Sequence, residues 1–151
     1  MAIQLKVCGM RESDNCEAVA SLLPDWMGFI FYEKSPRYVG SNFIMPSGLS
    51  QKTKKVGVFV NESLENIHHL KQLHTLEYVQ LHGDENVELV KGLKNLNIKI
   101  IKAFSIDQHF DFTSLDPFVS YVDYFLFDTK GPQYGGNGYR FDWSLLKQYK
   151  G

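Results

Sequence analysis

The 151 residues carry 16 Lys and Arg against 17 Asp and Glu, a formal net charge of -1, with 44% hydrophobic and 22% charged side chains. That balance fits one ordinary globular domain able to bury a core, and it lacks the excess of cations that non-specific nucleic-acid binding demands. No apolar run approaches the roughly 18 residues of a membrane span, and Met1-Ala2-Ile3-Gln4-Leu5-Lys6 lacks a basic region followed by an apolar stretch, so a cytoplasmic protein with no nucleic-acid or membrane partner is expected.

In chain order, residues 4–8, 27–31, 55–60, 78–81, 99–104 and 124–128 are short runs of β-branched and aromatic side chains and read as strands. The second run feeds a loop, Ser35-Pro36-Arg37-Tyr38, that carries a guanidinium. After the third, Leu64, Ile67, Leu70 and Leu73 share a helical face with Asn61 as the expected N-cap, and His68, His69 and His74 fall on its solvated side. After the fourth, Asn86, Leu89, Val90, Leu93 and Leu96 share another, with Asp84 as the expected cap. A glycine-rich loop spans residues 130–138, and residues 142–151 read as a last helix.

Strand alternating with helix predicts βαβ units and a parallel sheet, either doubly wound or closed into a barrel. Strand starts recur about every 24 residues, so about six units fit; a closed eight-stranded barrel needs two more, about 50 residues further. No linker-like segment divides the chain, and residues 1–151 are expected to form a single domain.

In either architecture ligands bind at the carboxyl ends of the strands. The first strand ends in Cys8-Gly9, the fourth in Gln80-Leu81-His82-Gly83, the sixth in Asp128-Thr129. Alternation puts Lys6 and Cys8 on one face, where an ammonium beside a thiol favours a base or nucleophile; a small buried cysteine is the plainer reading. Asp128 closes the apolar run Tyr124-Phe125-Leu126-Phe127 and is either a working carboxylate or a turn cap. The glycine-rich loop fits neither the phosphate loop nor the dinucleotide fingerprint and reads as a surface loop or a lid. Cys8 and Cys16 are too few for a disulfide framework, and with no matched histidine pair they make a poor metal set.

Taken together, Lys6-Val7-Cys8-Gly9-Met10-Arg11, Met27-Gly28-Phe29-Ile30-Phe31, Ser35-Pro36-Arg37-Tyr38-Val39, Val56-Gly57-Val58-Phe59-Val60-Asn61, Val79-Gln80-Leu81-His82-Gly83, Phe127-Asp128-Thr129, Gly135-Gly136-Asn137-Gly138 and Phe141-Asp142-Trp143 resemble the phosphoribosylanthranilate isomerases in order and spacing. The resemblance runs from about residue 4 to 143. It implies an α/β fold of the TIM (β/α)8-barrel family, of which this chain holds about six units. It also implies an Amadori rearrangement of a phosphosugar in tryptophan biosynthesis, with neither metal nor organic cofactor. By motif, Cys8 matches the family's base and Asp128 its acid. Arg37 matches its substrate-contacting arginine, and Gln80 and His82 match the end of its fourth strand, lining the substrate pocket.

The family pattern continues with a seventh and an eighth strand, whose turns hold the substrate phosphate on backbone amides. Neither lies within residues 1–151, so the expectation is that this chain alone turns over little or nothing and self-associates through the open edges of its first and sixth strands. Two other readings stay open here. One is a non-catalytic barrel fragment that pairs with a complementary piece or with itself. The other is a different phosphate-binding barrel enzyme of the same pathway, such as indoleglycerol-phosphate synthase or the tryptophan synthase α subunit, which use carboxylate and lysine constellations.

Overall fold

Six runs of β-branched and aromatic residues become strands because their period-two pattern supplies one face to a barrel interior and one to a layer of helices. The computed structural model describes residues 3–131, 140 and 142–150. The strands are β1 (Lys6–Cys8), β2 (Trp26–Ile30), β3 (Lys54–Phe59), β4 (Tyr78–Leu81), β5 (Lys99–Ile106) and β6 (Tyr124–Thr129). Helix α1 (Ser13–Ala20) follows β1, α2 (Leu64–Leu73) follows β3 and α3 (Val87–Asn95) follows β4. The expected bounds hold to within about two residues.

Every strand pairs in parallel with its successor, in the order β1-β2-β3-β4-β5-β6. A doubly wound sheet reverses its direction of growth at a switch point, whereas a barrel always adds the next strand to the same edge. The order therefore decides between the two architectures: this is a curled half-barrel. Among the described residues no helix is long and apolar enough to cross a membrane.

Outward-facing residues form two clusters against the helices. Met27 and Phe29 of β2 pack with Cys16 and Ala20 of α1. Phe59, Val79, Leu81 and Ile100 pack with Ile67 of α2 and with Val90 and Leu93 of α3. Inside the curl, Trp26, Val56, Tyr78 and Ile101 close the amino-terminal end, with Trp26 and Tyr78 rings 4.5 Å apart. This apolar plug leaves the carboxyl end as the open face of the interior.

Several local expectations are corrected. The helix caps are Ser63 and Asn86, whose side chains accept from the backbone N–H groups of Asn66 and Leu89; Asn61 and Asp84 do not cap. Asn61 sits in the left-handed region (φ 51°), and its side chain instead accepts from Asp84 N–H at 2.7 Å, joining the turns after β3 and β4. Between β2 and β3 no helix forms, because Pro36, Gly40, Pro46 and Gly48 break the segment into turns held by a single bridge, Ile30 to Tyr38. A 3₁₀ helix containing Pro117 (Phe112–Phe118) replaces an α-helix between β5 and β6. A 3₁₀ helix (Trp143–Gln148) capped by Asp142 likewise stands where a last α-helix was expected. Most of the glycine-rich loop, including Gly135-Gly136-Asn137-Gly138, lies outside the described residues.

The buried face of α2 is also rotated from the expectation. Leu73 points outward and His74 inward, since residue 74 lies two full turns beyond buried Ile67. The His74 ring packs 5.1 Å from that of Phe31 and 5.5 Å from that of Phe43. Burial, with His69 nearby, pushes its pKa below the ordinary 6.5, and burial does the same to His82. Unfolded histidines take up a proton near pH 6.5 while these two resist it in the fold, so the unfolded chain binds more protons and stability falls as pH drops through that value. Thermal unfolding should show a lower midpoint at pH 5.5 than at pH 7.5, with the gap narrowed in His74→Gln; equal midpoints would contradict this assignment.

Candidate active site

Cys8 and Lys6 project from β1 into the curl, as the alternation predicted. They share a cleft of about 240 Å³ with Arg37, Gln80, His82 and Asp128. Curling brings the first and sixth strands to one cleft, so the thiol and the carboxylate, 120 residues apart in sequence, line a common space. The structure thus brings together all five residues singled out from sequence.

The thiol's setting depends on the neighbouring strand. Cys8 pairs with Gly28, and a Cβ at residue 28 would stand 2.6 Å from Cys8 Sγ and 3.0 Å from Lys6 Nζ. Thiol and ammonium therefore lean together over a position that must stay bare, which is the reason for a glycine inside an otherwise apolar strand. Gly28→Ala should displace both groups and change the rate at which the Cys8 thiol reacts with a small alkylating agent; an unchanged rate would contradict this packing.

Arg37 reaches the site from the loop after β2. Its guanidinium lies over Gly9, where a Cβ would come within 2.8 Å of Nη1, and Nη1 is 3.4 Å from the Cys8 carbonyl oxygen. Gly9 also adopts φ 87°, a conformation that side chains disfavour, so the turn after β1 is bare on both counts. The exposed guanidinium presents its planar fork at the mouth of the cleft, suited to a carboxylate.

At the end of β6, Asp128 Oδ1 accepts from Thr129 N–H at 2.8 Å, and Oδ2 lies 3.5 Å from His82 Nε2. The carboxylate is part-exposed, with its side chain at 28% accessibility, and so can meet a ligand. His82 is tied to Gln80 by a 2.7 Å contact between Gln80 Nε2 and the ring Nδ1. Gln80 is buried, on the same sheet face as His82.

Beneath this turn lies a feature the sequence reading did not find. Glu85 and Lys102 form a 3.0 Å ion pair with side chains 1% and 3% accessible. Glu85 accepts from the backbone N–H groups of Asn61 and Gly83, while Lys102 donates to Gly83 O and Ala103 O. The pair therefore pins the turns after β3 and β4 to β5 and fixes where His82 can sit. A lysine inside the apolar run Lys99-Ile100-Ile101-Lys102-Ala103-Phe104 was the available signal, since a charge there needs a buried partner.

Comparison with known proteins shows what the chain as a whole resembles. Residues 5–151 match the family model described as N-(5'phosphoribosyl)anthranilate (PRA) isomerase. The N-(5'-phosphoribosyl)anthranilate isomerase of Phocaeicola vulgatus is 45% identical over 147 residues, covering 97% of this chain and 70% of that protein. Its counterpart from Parabacteroides distasonis is 45% identical over 150 residues, covering 97% and 68%. Among solved structures, phosphoribosyl anthranilate isomerase from Thermotoga maritima matches with a TM-score of 0.74 and 34% identity over 96% of this chain and 70% of that one. A phosphoribosyl anthranilate isomerase in complex with reduced 1-(o-carboxyphenylamino)-1-deoxyribulose 5-phosphate matches with a TM-score of 0.71 and 31% identity, covering 98% and 70%. With the strand order of a barrel, a cleft at its carboxyl end and these relatives across almost all of its length, the chain belongs to the phosphoribosylanthranilate isomerase family.

Proposed function

We propose that the chain carries the acid and base of an N-(5'-phosphoribosyl)anthranilate isomerase, acting in the cytoplasm on a phosphosugar. The reaction is an internal redox exchange in which C1' of the ribose is reduced and C2' oxidised. Asp128 gives a proton to the furanose ring oxygen as the C1'–O bond breaks, and the nitrogen lone pair moves in to form a C1' iminium. Cys8, as thiolate, removes the proton from C2'; that electron pair forms the C1'–C2' double bond and neutralises the nitrogen. Tautomerisation of the resulting enol, with a proton delivered to C1', gives the 2-ketose. The steps need an acid and a base on different sides of the sugar and no external electron carrier.

The observation that supports this most is the approach of Cys8 and Asp128 to one cleft from opposite ends of the strand order. Arg37 engages the anthranilate carboxylate with its fork, while Gln80 and His82 line the side nearest the acid. We propose further that residues 1–151 fold as one unit, and that the edges of β1 and β6, which pair with no further strand among the described residues, allow self-association, which sedimentation velocity across a concentration series would register.

The test is direct conversion. The protein, with the seventh- and eighth-strand turns of the family pattern present, incubated with N-(5'-phosphoribosyl)anthranilate and a chelator, should yield 1-(2-carboxyphenylamino)-1-deoxyribulose 5-phosphate. Activity that vanishes with the chelator and returns with a divalent cation would overturn the mechanism. Failure to form the product, together with failure to bind its reduced analogue, would overturn the substrate assignment.

A further inference from the structure

Two buried polar side-chain atoms among the described residues have no hydrogen-bond partner, Gln80 Oε1 and His82 Nε2, and both belong to the group beside Asp128. A Gln–His pair serving only to fill the sheet would be expected to meet these needs within the core. Here the pair is held the other way. Gln80 presents its amide nitrogen to Nδ1, and an amide nitrogen has only hydrogens to offer, so Nδ1 accepts. A neutral imidazole that accepts at Nδ1 carries its proton at Nε2, and Nε2 is the atom that faces Asp128 Oδ2 at 3.5 Å.

Resting on the reading of Asp128 as the acid, we propose that Gln80 and His82 act through Asp128. Gln80 fixes the ring tautomer, and the His82 Nε2–H hydrogen bonds to the carboxylate formed when Asp128 protonates the ring oxygen. The proton leaves Asp128 for the sugar, and no proton leaves His82. The imidazole supplies a fixed donor where negative charge develops, a demand that exists only once proton transfer is under way. The 3.5 Å separation is long for a hydrogen bond at rest and shortens as the carboxylate gains charge.

The surroundings keep the ring neutral. Burial pushes the His82 pKa below the ordinary value, Lys102 and Lys6 push it the same way, and Asp128 alone opposes them. Asp128 is held from its other side by Thr129 N–H on Oδ1, so Oδ2 is the oxygen left for the ring. Glu85 and Lys102 anchor the Gly83 turn next to His82 and keep the ring aimed. Gln80 and His82 are thereby positioning residues, where the family motif alone marks them as pocket lining.

The test is a double-mutant cycle on the intact protein, read by single-turnover isomerisation. His82→Ala should lower the rate about 10- to 100-fold, the usual worth of one hydrogen bond to a charged group, with KM changed less than about threefold. His82→Gln, whose amide nitrogen reaches toward the former Nε2 position, should recover most of that loss. In an Asp128→Asn background His82→Ala should cost almost nothing more, because the charge it serves no longer forms. An undiminished second loss in that background, or a raised KM with unchanged turnover, would overturn the proposal. A second measurement does not depend on activity: nitrogen-15 NMR of the histidine rings should show His82 neutral with its proton on Nε2, and a proton on Nδ1 would overturn the tautomer assignment. If Asp128→Asn alone leaves the rate unchanged, the failure lies in the acid assignment.

Discussion

Asp128→Asn and Cys8→Ser are each expected to lower kcat by about 10²- to 10⁴-fold, the usual contribution of a positioned acid or base. Both substitutions nearly preserve shape. Asparagine keeps the hydrogen bond from Thr129 N–H but has no acidic proton to give to the ring oxygen. Serine fills the space over Gly28, yet its hydroxyl at neutral pH is a far weaker base than a thiolate beside the Lys6 ammonium. Binding of the reduced product analogue, measured by calorimetry, should change little in either variant, since neither removes Arg37. A kcat within a factor of two of the parent in either variant would remove that residue from the mechanism.

The largest expected effect on stability is that of Glu85→Ala, at about 3 to 5 kcal/mol, the usual cost of leaving one partner of a buried ion pair alone. Lys102 Nζ would keep the carbonyl oxygens of Gly83 and Ala103 as acceptors but lose its carboxylate partner, at 3% accessibility. Asn61 and Gly83 would lose the acceptor of their backbone N–H groups in the same step. Urea unfolding of the variant measures the loss. Glu85→Ala combined with Lys102→Met should recover part of it, because an apolar side chain of similar length leaves no unpaired charge. A loss under about 1 kcal/mol in Glu85→Ala would mean that water replaces the carboxylate.

How far the molecule was legible in its sequence follows from the range of the forces at each position. The strands were legible because their apolar runs are set by local alternation, and Lys6 and Cys8 fell on a common face by that rule alone. The barrel was not distinguishable from a doubly wound sheet by periodicity, because both alternate strand with helix; the order of pairing, a long-range property, decides between them. Asn61 is a good N-cap by type, and only its contact with Asp84 N–H across the neighbouring turn explains why Ser63 takes that place. His74 read as solvated because it closes a polar helix face, until the aromatic rings of Phe31 and Phe43, supplied from the segment after β2, enclosed it. Cys8, Gln80, His82 and Asp128 stand out by their place at the carboxyl ends of strands and Arg37 by its loop, but their roles rest on motif resemblance, since spacing alone leaves a small core cysteine the plainer reading and a turn-capping aspartate as good as a working one. Glu85 and Lys102 were passed over because neither belongs to the quoted motifs, although a lysine in the middle of the β5 run pointed to a buried partner.

The most direct test of the central claim, a base and an acid facing one sugar from two edges of the curled sheet, is a crystal structure of the intact protein with reduced 1-(o-carboxyphenylamino)-1-deoxyribulose 5-phosphate. The account predicts Cys8 Sγ within about 3.5 Å of C2', the reach of a near-attack geometry. Asp128 should lie across the sugar chain beside the oxygen that closes the furanose in the substrate, with Arg37 forked onto the anthranilate carboxylate. Cys8 and Asp128 on the same side of the sugar, or the analogue seated away from both, would contradict it.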